Sequence, residues 1–295
     1  MTRTRGKSPR AADARVLELQ RLLDAGTRDH YEDAALYDFE YSDRVEDIRH
    51  YRGLALELGD ELDVLELGAG TGRITVPLAR DRNRVVALDL CNSMLDRLKA
   101  ALTRVGLRDR VTTVRADMRV IPAADASFDL VIAPFNALMH LYGWRDLLAC
   151  FREAARVLRP GGTFAFDVQI PDLEWLRWDP EVRHAVTRFV HPVTREKLVY
   201  STNHRYDAAT QVCHIRIYYD DAPPSGRRFV PPAVPRRVVH LAHRQIFPEE
   251  IRQIVASAGL ELVTLTGDFR GRPLGDAEDS QVAICVKPVK PLKPQ

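Results

Sequence analysis

The sequence predicts a doubly wound α/β fold: a mostly parallel seven-stranded sheet with an antiparallel β insertion after its fifth strand. Three observations carry this. Short apolar runs alternate with helix-period segments from residue 63 to residue 169, and that alternation requires crossover connections and a parallel sheet. The rhythm breaks after Pro171, where β-rich runs follow one another with few helical signals. A helix and two strand-like runs then return between Phe247 and Lys287.

Composition narrows the class. The 295 residues are 45% hydrophobic and 28% charged, a balance typical of a soluble globular chain. A formal charge of +2 is too small to imply a nucleic-acid or membrane partner. No apolar run reaches the ~18 residues of a membrane span. The basic start (Arg3, Arg5, Lys7, Arg10) lacks a following apolar stretch and reads as a solvated tail, not a secretory signal. Cys91, Cys150, Cys213 and Cys285 are isolated, without metal-ligand spacing. They fit a reducing compartment and a cytoplasmic location, with no zinc site.

The elements follow in order. Val16, Leu19, Leu22 and Leu23 have helical spacing, with Gly26 as a stop. Residues 31–58 carry a second helical stretch, interrupted near Tyr41–Ser42. Ser42 is expected to cap a helix that begins at Asp43. DVLELGAGTG is a strand running into glycines, and RITVPLARD a helix with Pro77 in its first turns. RVVALDL is the second strand, SMLDRLKAALTRVG a helix closed by Gly106, VTTVRAD the third strand and FDLVIAPFN the fourth. LLACFREAARVLRPGG (147–162) is a helix stopped by Pro160 and two glycines, and TFAFDVQ is the fifth strand. TRFVHPV, EKLVYSTNHRY, QVCHIRIYYDD and RRVVHLAHRQIF form the antiparallel piece, with a hairpin turn within TNHRYDAATQV. FPEEIRQIVASAGL is a helix with Pro248 just inside its start and Gly259 as its stop. The expected division is a tail and helix over 1–30, a ligand-binding domain over 31–172 plus 247–290, and an insertion over 173–246.

The strongest chemical signal is Glu66-Leu67-Gly68-Ala69-Gly70-Thr71-Gly72. Glycines there permit positive φ and close approach of a ligand to the backbone, at the carboxyl ends of the strands where open α/β sheets bind ligands. The spacing is GxGxG, not the GxGxxG of dinucleotide folds, and Glu66 suits a cationic ligand better than a pyrophosphate. Asp89 at the end of the second strand can accept from both hydroxyls of a ribose. Asp117 can accept from an exocyclic amine while Met118 offers a polarizable surface to a ring; alternatively Asp117 is a turn cap.

DVLELGAGTGR, ALDL, RADM, FDLVIAPFNAL and VLRPGG, in this order and spacing, resemble the class I S-adenosylmethionine-dependent methyltransferases over about residues 35–172. The resemblance implies a Rossmann-like fold and S-adenosylmethionine as cofactor. It places Glu66, Gly68 and Gly70 on the methionine side, Asp89 at the ribose, and Asp117 with Met118 at the adenine. Pro134 and Phe135 would sit beside the sulfonium and the acceptor, and Ala69, Gly72, Leu90 and Met94 complete the implied cofactor set. The flanks resemble a narrower group, the bacterial aminosugar N,N-dimethyltransferases and glycine N-methyltransferases. LYDFEYSDRVEDIRHY is similar to their N-terminal lid, which makes Tyr37 a cofactor contact and Tyr41 a catalytic candidate. The segment before residue 30 lies outside that resemblance.

His140, four residues after Asn136, is the candidate for deprotonating or orienting the acceptor, with packing under the lid as the other reading. Ala133-Pro134-Phe135-Asn136 lacks the motif of adenine-N6 enzymes, Cys91 is misplaced for a cytosine-C5 nucleophile, and Asp167-Val168 does not supply the Asp-Asn pair of metal-dependent catechol enzymes. No metal is therefore expected. Between Arg188 and Arg244 there are ten Lys/Arg and four Asp/Glu. That excess favours an acidic acceptor or RNA, or simply a solvated sheet face. The leading expectation is methylation of a nitrogen or oxygen of a small-molecule metabolite. The alternatives are an RNA or protein methyltransferase and a non-catalytic cofactor-binding regulator. A small molecule is the expected partner, nucleic acid and membrane are not, and the insertion covers the site, forms a homodimer contact, or both.

Overall fold

The computed structural model describes residues 20–275 and 278–289. The basic start, Val16 and Leu19 lie outside the described residues. Residues 20–28 are helical and pass into a short turn, Asp29–Tyr31. Two helices follow, α1 (Ala34–Glu40) and α2 (Glu46–Leu58). Asp33 caps α1 by accepting from Leu36 N at 3.0 Å. The expected Ser42 cap is not made: α2 begins at Glu46, and Ser42 Oγ donates to Phe39 O at the end of α1. The chain needs 41–45 to turn between helices, so Ser42 serves an orphan carbonyl of the preceding helix instead.

The main sheet has β1 (Asp63–Leu67), β2 (Arg84–Asp89), β3 (Val111–Arg115), β4 (Phe128–Ala133), β5 (Leu158–Gln169), β10 (Glu261–Thr266) and β11 (Ser280–Val286). Its order is β10-β11-β5-β4-β1-β2-β3. Strands β1 to β5 pair in parallel, and β11 runs antiparallel between β5 and β10. Helices α3 (Thr75–Arg80), α4 (Asn92–Val105), α5 (Trp144–Val157) and α6 (Pro248–Ser257) make the connections and cover the faces. Two apolar cores result. One holds Leu65, Leu67, Val131, Phe151, Phe164 and Phe166, the other Val64, Leu78, Ala87, Leu98 and Ile132. Neighbouring residues of β1 and β4 thus go to opposite cores, as the alternation of a strand requires.

Helix α5 stops at Val157, ahead of the expected stop at Pro160, and Leu158 is already extended. Pro160 disfavours the helical region at Arg159 and supplies no amide hydrogen, so the helix ends before it.

The insertion is a four-stranded antiparallel sheet of β6 (His184–Val190), β7 (Lys197–Asp207), β8 (Val212–Asp221) and β9 (Arg237–Arg244), in that order. Leu198, Ile217, Tyr219, Val239 and Leu241 from one face pack with Leu36 of α1. The sheet therefore lies against the N-terminal helices, above the carboxyl end of β4. Among the described residues, no helix is long and apolar enough to cross a membrane.

Candidate active site

The first parallel strand sets the site. After Leu67 the chain turns through Gly68, Gly70 and Gly72, whose φ values are 72°, 56° and 90°. These are left-handed conformations that side chains with a Cβ rarely adopt. Gly68 N and Ala69 N both donate to Leu88 O, which ties the turn to β2. A Cβ on Gly68 would stand 2.9 Å from the Ala137 Cβ, so the turn also approaches the loop after β4. Asp89 holds the neighbouring backbone: Gly70 N donates to its Oδ2 and Cys91 N to its Oδ1, each at 2.8 Å. Burial pushes the Asp89 carboxyl up, against the lowering effect of those amides. Glu66 is 1% exposed, and Thr75 Oγ1 donates to its Oε2 at 2.5 Å. Burial drives the Glu66 carboxyl up to about 8. A buried carboxylate of this kind is complementary to a cation.

These strand ends open into a cavity of about 530 Å³. Its wall includes Tyr37, Glu66, Gly68, Ala69, Gly70, Asp89, Leu90, Met94, Asp117, Met118, Pro134, Phe135 and His140, all anticipated from sequence. Gly72 and Tyr41 are not on that wall. Gly72 faces Leu98, and a Cβ there would meet Leu98 Cδ1 at 2.2 Å. Tyr41 stands behind, its ring 4.7 Å from Tyr37 and 4.9 Å from Phe135, with its hydroxyl 3.1 Å from His30 Nε2. Asp117 is bound by Arg119, whose Nη2 lies 2.6 Å from its Oδ2, and this guanidinium holds its carboxyl below the usual range. Cys91 also lines the cavity, with its thiol pushed up to about 11 by burial, so it stays protonated near neutral pH.

The loop after β4 forms the opposite wall. Phe135 and Asn136 have φ of 54° and 64°, uncommon for residues with side chains. Asp167 on β5 fixes this turn by accepting from Phe135 N at 2.9 Å and Tyr51 Oη at 2.6 Å. Asn136 precedes a short helical turn, Ala137–His140, and its Oδ1 accepts from Gln169 N. Asn136 and His140 therefore do not share a helix face: the left-handed residue lies outside the turn. Arg73 and Arg44 place their guanidinium carbons 4.9 and 5.1 Å from the centre of the Phe135 ring. Arg73 is held by Asp47 at 2.5 Å.

His140 belongs to a buried cluster with His30, His243 and Tyr31. Its Nε2 is 2.6 Å from Tyr31 Oη, and its ring centre is 5.1 Å from that of His243. Burial lowers His140 to about 4, with a further contribution from His30, and burial also brings His30 to about 4. His243 is pushed well below the usual value for the same reason. The histidine side of the wall is thus polar and uncharged near neutral pH, while Arg73 brings a positive charge beside Phe135.

Several wall residues carried no recognisable signal in sequence. Leu23, Asp24, Thr27, Arg28 and Tyr31 all line the cavity from the N-terminal segment. Their helical spacing reads as ordinary packing. Arg73 was findable, since it directly follows the glycine turn. Among the described residues, no group of three or more His, Cys, Asp or Glu could hold a metal ion. The residues present fit S-adenosylmethionine: buried Glu66 is complementary to cationic groups, the Gly68 cradle leaves no room for a Cβ, and Asp89 lines the same cavity.

Residues 64–162 match the family described as "Methyltransferase domain". The cypemycin N-terminal methyltransferase of a Streptomyces species is 29% identical over 214 residues, covering 72% of this chain and 78% of that protein. Curated relatives that match at 33, 35 and 36% identity do so over 105–130 residues, less than half of their own length. Among solved structures, the CcbJ methyltransferase of Streptomyces caelestis superposes with a TM-score of 0.70 at 23% identity, covering 90% of this chain and 99% of that one. The glycopeptide N-methyltransferase MtfA, complexed with S-adenosylmethionine, has a TM-score of 0.52 at 21% identity, covering 82% and 94%. Family match, strand order and cavity agree, and the chain carries a methyltransferase domain of the class I, S-adenosylmethionine-dependent type.

Proposed function

We propose that the protein transfers the methyl group of S-adenosylmethionine to a nitrogen or oxygen of a small molecule by direct in-line displacement. The observation that carries this is one cavity of about 530 Å³ whose wall brings the glycine turn, Glu66 and Asp89 together with Phe135, Tyr37 and His140. Its volume falls within the range of small-molecule sites. The cofactor, when bound, supplies an activated methyl group. Glu66, Gly68 and Gly70 would hold its methionine part, Asp89 its ribose, and Asp117 with Met118 its adenine. The protein's remaining task is to align the acceptor and exclude water. Residues 173–246 take the acceptor side in this reading, because their sheet packs on α1 and contributes His243 behind His140.

A macromolecular acceptor is less well supported. Six of the ten basic side chains between Arg188 and Arg244 are engaged within the protein. Arg236 meets Glu196 and Asp221, and Arg244 meets Glu250. Arg188 and Arg216 donate to backbone carbonyls. Four of the ten, Arg205, Arg236, Arg237 and Arg244, face a carboxylate, which lowers the positive charge offered to a phosphate backbone. Nitrogen is the better-supported atom, because the Streptomyces relative is named for N-terminal methylation and MtfA for N-methylation.

Calorimetric titration with S-adenosylmethionine, S-adenosylhomocysteine and NADH is the test. Binding of both sulfur ligands and none of NADH is expected, followed by methyl transfer in a screen of amines and phenols. Failure of both sulfur ligands to bind would overturn the reading.

A further inference from the structure

We infer that Arg119 sets the base specificity of the cofactor site: anchored by Asp146, it holds the Asp117 carboxylate in the orientation that accepts the exocyclic amine of adenine. This rests on the methyl-transfer reading above, in which Asp117 meets the base. Arg119 acts through Asp117 and is a positioning residue. All three side chains line the cavity, beside Met118.

The backbone brings the pair together. Val120 N donates to Asp117 O at 3.0 Å and closes a turn with Met118 and Arg119 at its centre. Aspartate suits the first position of such a turn, because its side chain can accept from the amide two residues on. Arg119 N does donate to Asp117 Oδ1, at 2.8 Å. The guanidinium of the same residue then folds back on the same carboxylate. Nε lies 3.0 Å from both Oδ1 and Oδ2, and Nη2 lies 2.6 Å from Oδ2.

The far side of the guanidinium is held as well. Nη1 donates to Asp146 Oδ1 at 2.7 Å. Asp146 sits in the first turn of α5, where its amide donates to Gly143 O and the helix dipole favours its charge. A single exposed ion pair contributes little, but a two-toothed arginine–carboxylate contact within a network of three charges fixes geometry. The paired guanidinium keeps the Asp117 carboxyl below its usual range, so it is ionised at neutral pH.

A selective acceptor follows. Of the about four lone-pair sites of a carboxylate, the Arg119 amide, Nε and Nη2 engage three, which leaves about one. One N–H of an amine matches that vacancy. A carbonyl at the same place on the base would bring lone pairs against the carboxylate oxygen and be repelled. A carboxylate free to turn would hold the amine less well and escape the carbonyl, so both effects depend on Arg119.

The probes are S-adenosylhomocysteine and S-inosylhomocysteine, in which a carbonyl replaces the exocyclic amine. Calorimetry gives the ratio of their affinities. The wild type is expected to prefer the adenine ligand by about tenfold or more. Arg119→Met is expected to lower the preference to about threefold or less. An arginine with a purely structural role would weaken both ligands alike, so an unchanged ratio in Arg119→Met overturns the assignment. A wild type that does not distinguish the two ligands overturns it as well. Wild-type protein that binds neither ligand overturns the methyltransferase reading instead. If Arg119→Met loses its fold, Asp146→Asn and Asp146→Ala carry the test. The asparagine oxygen still accepts from Nη1 and keeps the ratio, alanine cannot and lowers it, and equal ratios in the two would refute the role.

Discussion

Tyr51 and Asp167, 116 residues apart in the chain, share a hydrogen bond in which Tyr51 Oη donates to Asp167 Oδ1 over 2.6 Å. Tyr51 is fully buried and Asp167 is 5% exposed. The same carboxylate oxygen accepts from Phe135 N, so helix α2 reaches through β5 to the turn that carries Phe135. Tyr51→Phe removes one donor from a buried acid, at a cost of about 1–3 kcal/mol. The thermal midpoint should fall, by roughly 2–4 °C for each kcal/mol lost. Scanning calorimetry reads this directly; an unchanged midpoint would show that Asp167 finds another donor.

Gly72 and Gly106 make a matched pair for a second prediction. Both have positive φ, 90° and 70°. A Cβ on Gly72 would lie 2.2 Å from Leu98 Cδ1, whereas one on Gly106 meets nothing within 4 Å. Gly72→Ala should cost about 2–4 kcal/mol, from overpacking and backbone strain together. Gly106→Ala should cost about 1–2 kcal/mol from strain alone. Urea unfolding separates the two, and equal losses would mean that Leu98 yields without cost.

Glu66 gives a pH prediction. Its carboxyl moves from 4.5 to about 8 on folding, chiefly by burial. Between those values the folded chain holds a proton that the unfolded chain has lost, so stability falls as pH rises through that window. A cationic ligand reverses the preference by favouring the ionised form. S-adenosylmethionine should therefore release a proton as it binds, and bind more tightly as pH rises toward about 8. Titration in two buffers of different ionisation heat counts that proton. Glu66→Gln should abolish the release, and the same release from the variant would place the proton elsewhere.

The legibility of this chain in sequence follows its physics. The parallel strands were readable as short apolar runs between helix-period segments, the first ended by the glycine turn Gly68–Gly72 and the second by Asp89. The antiparallel piece was readable from successive β-rich runs with few helical signals, such as QVCHIRIYYDD, which forms β8. Helix ends were less so: Pro160 stops α5 several residues upstream of itself, because its constraint acts on the residue before it. The residues expected at the cofactor share short local motifs, and most of them lie on the cavity wall. Tyr31 did not show itself, since its partner His140 lies 109 residues away and nothing local marks the pair. Asp117 was legible as a wall residue, but its ion pair with Arg119 depends on a turn whose geometry the sequence does not spell out.

The N-terminal segment carries a last consequence. Leu23, Thr27 and Tyr31 line one side of the cavity, with Thr27 fastened to Tyr142 and Asp29 to His240. A shortened protein beginning at residue 32 would keep the glycine turn, Asp89 and Asp117, and any search by motif would score it as whole. Its cavity would nonetheless be open to water on one flank, and an acceptor would have fewer walls to hold it in line with the methyl group.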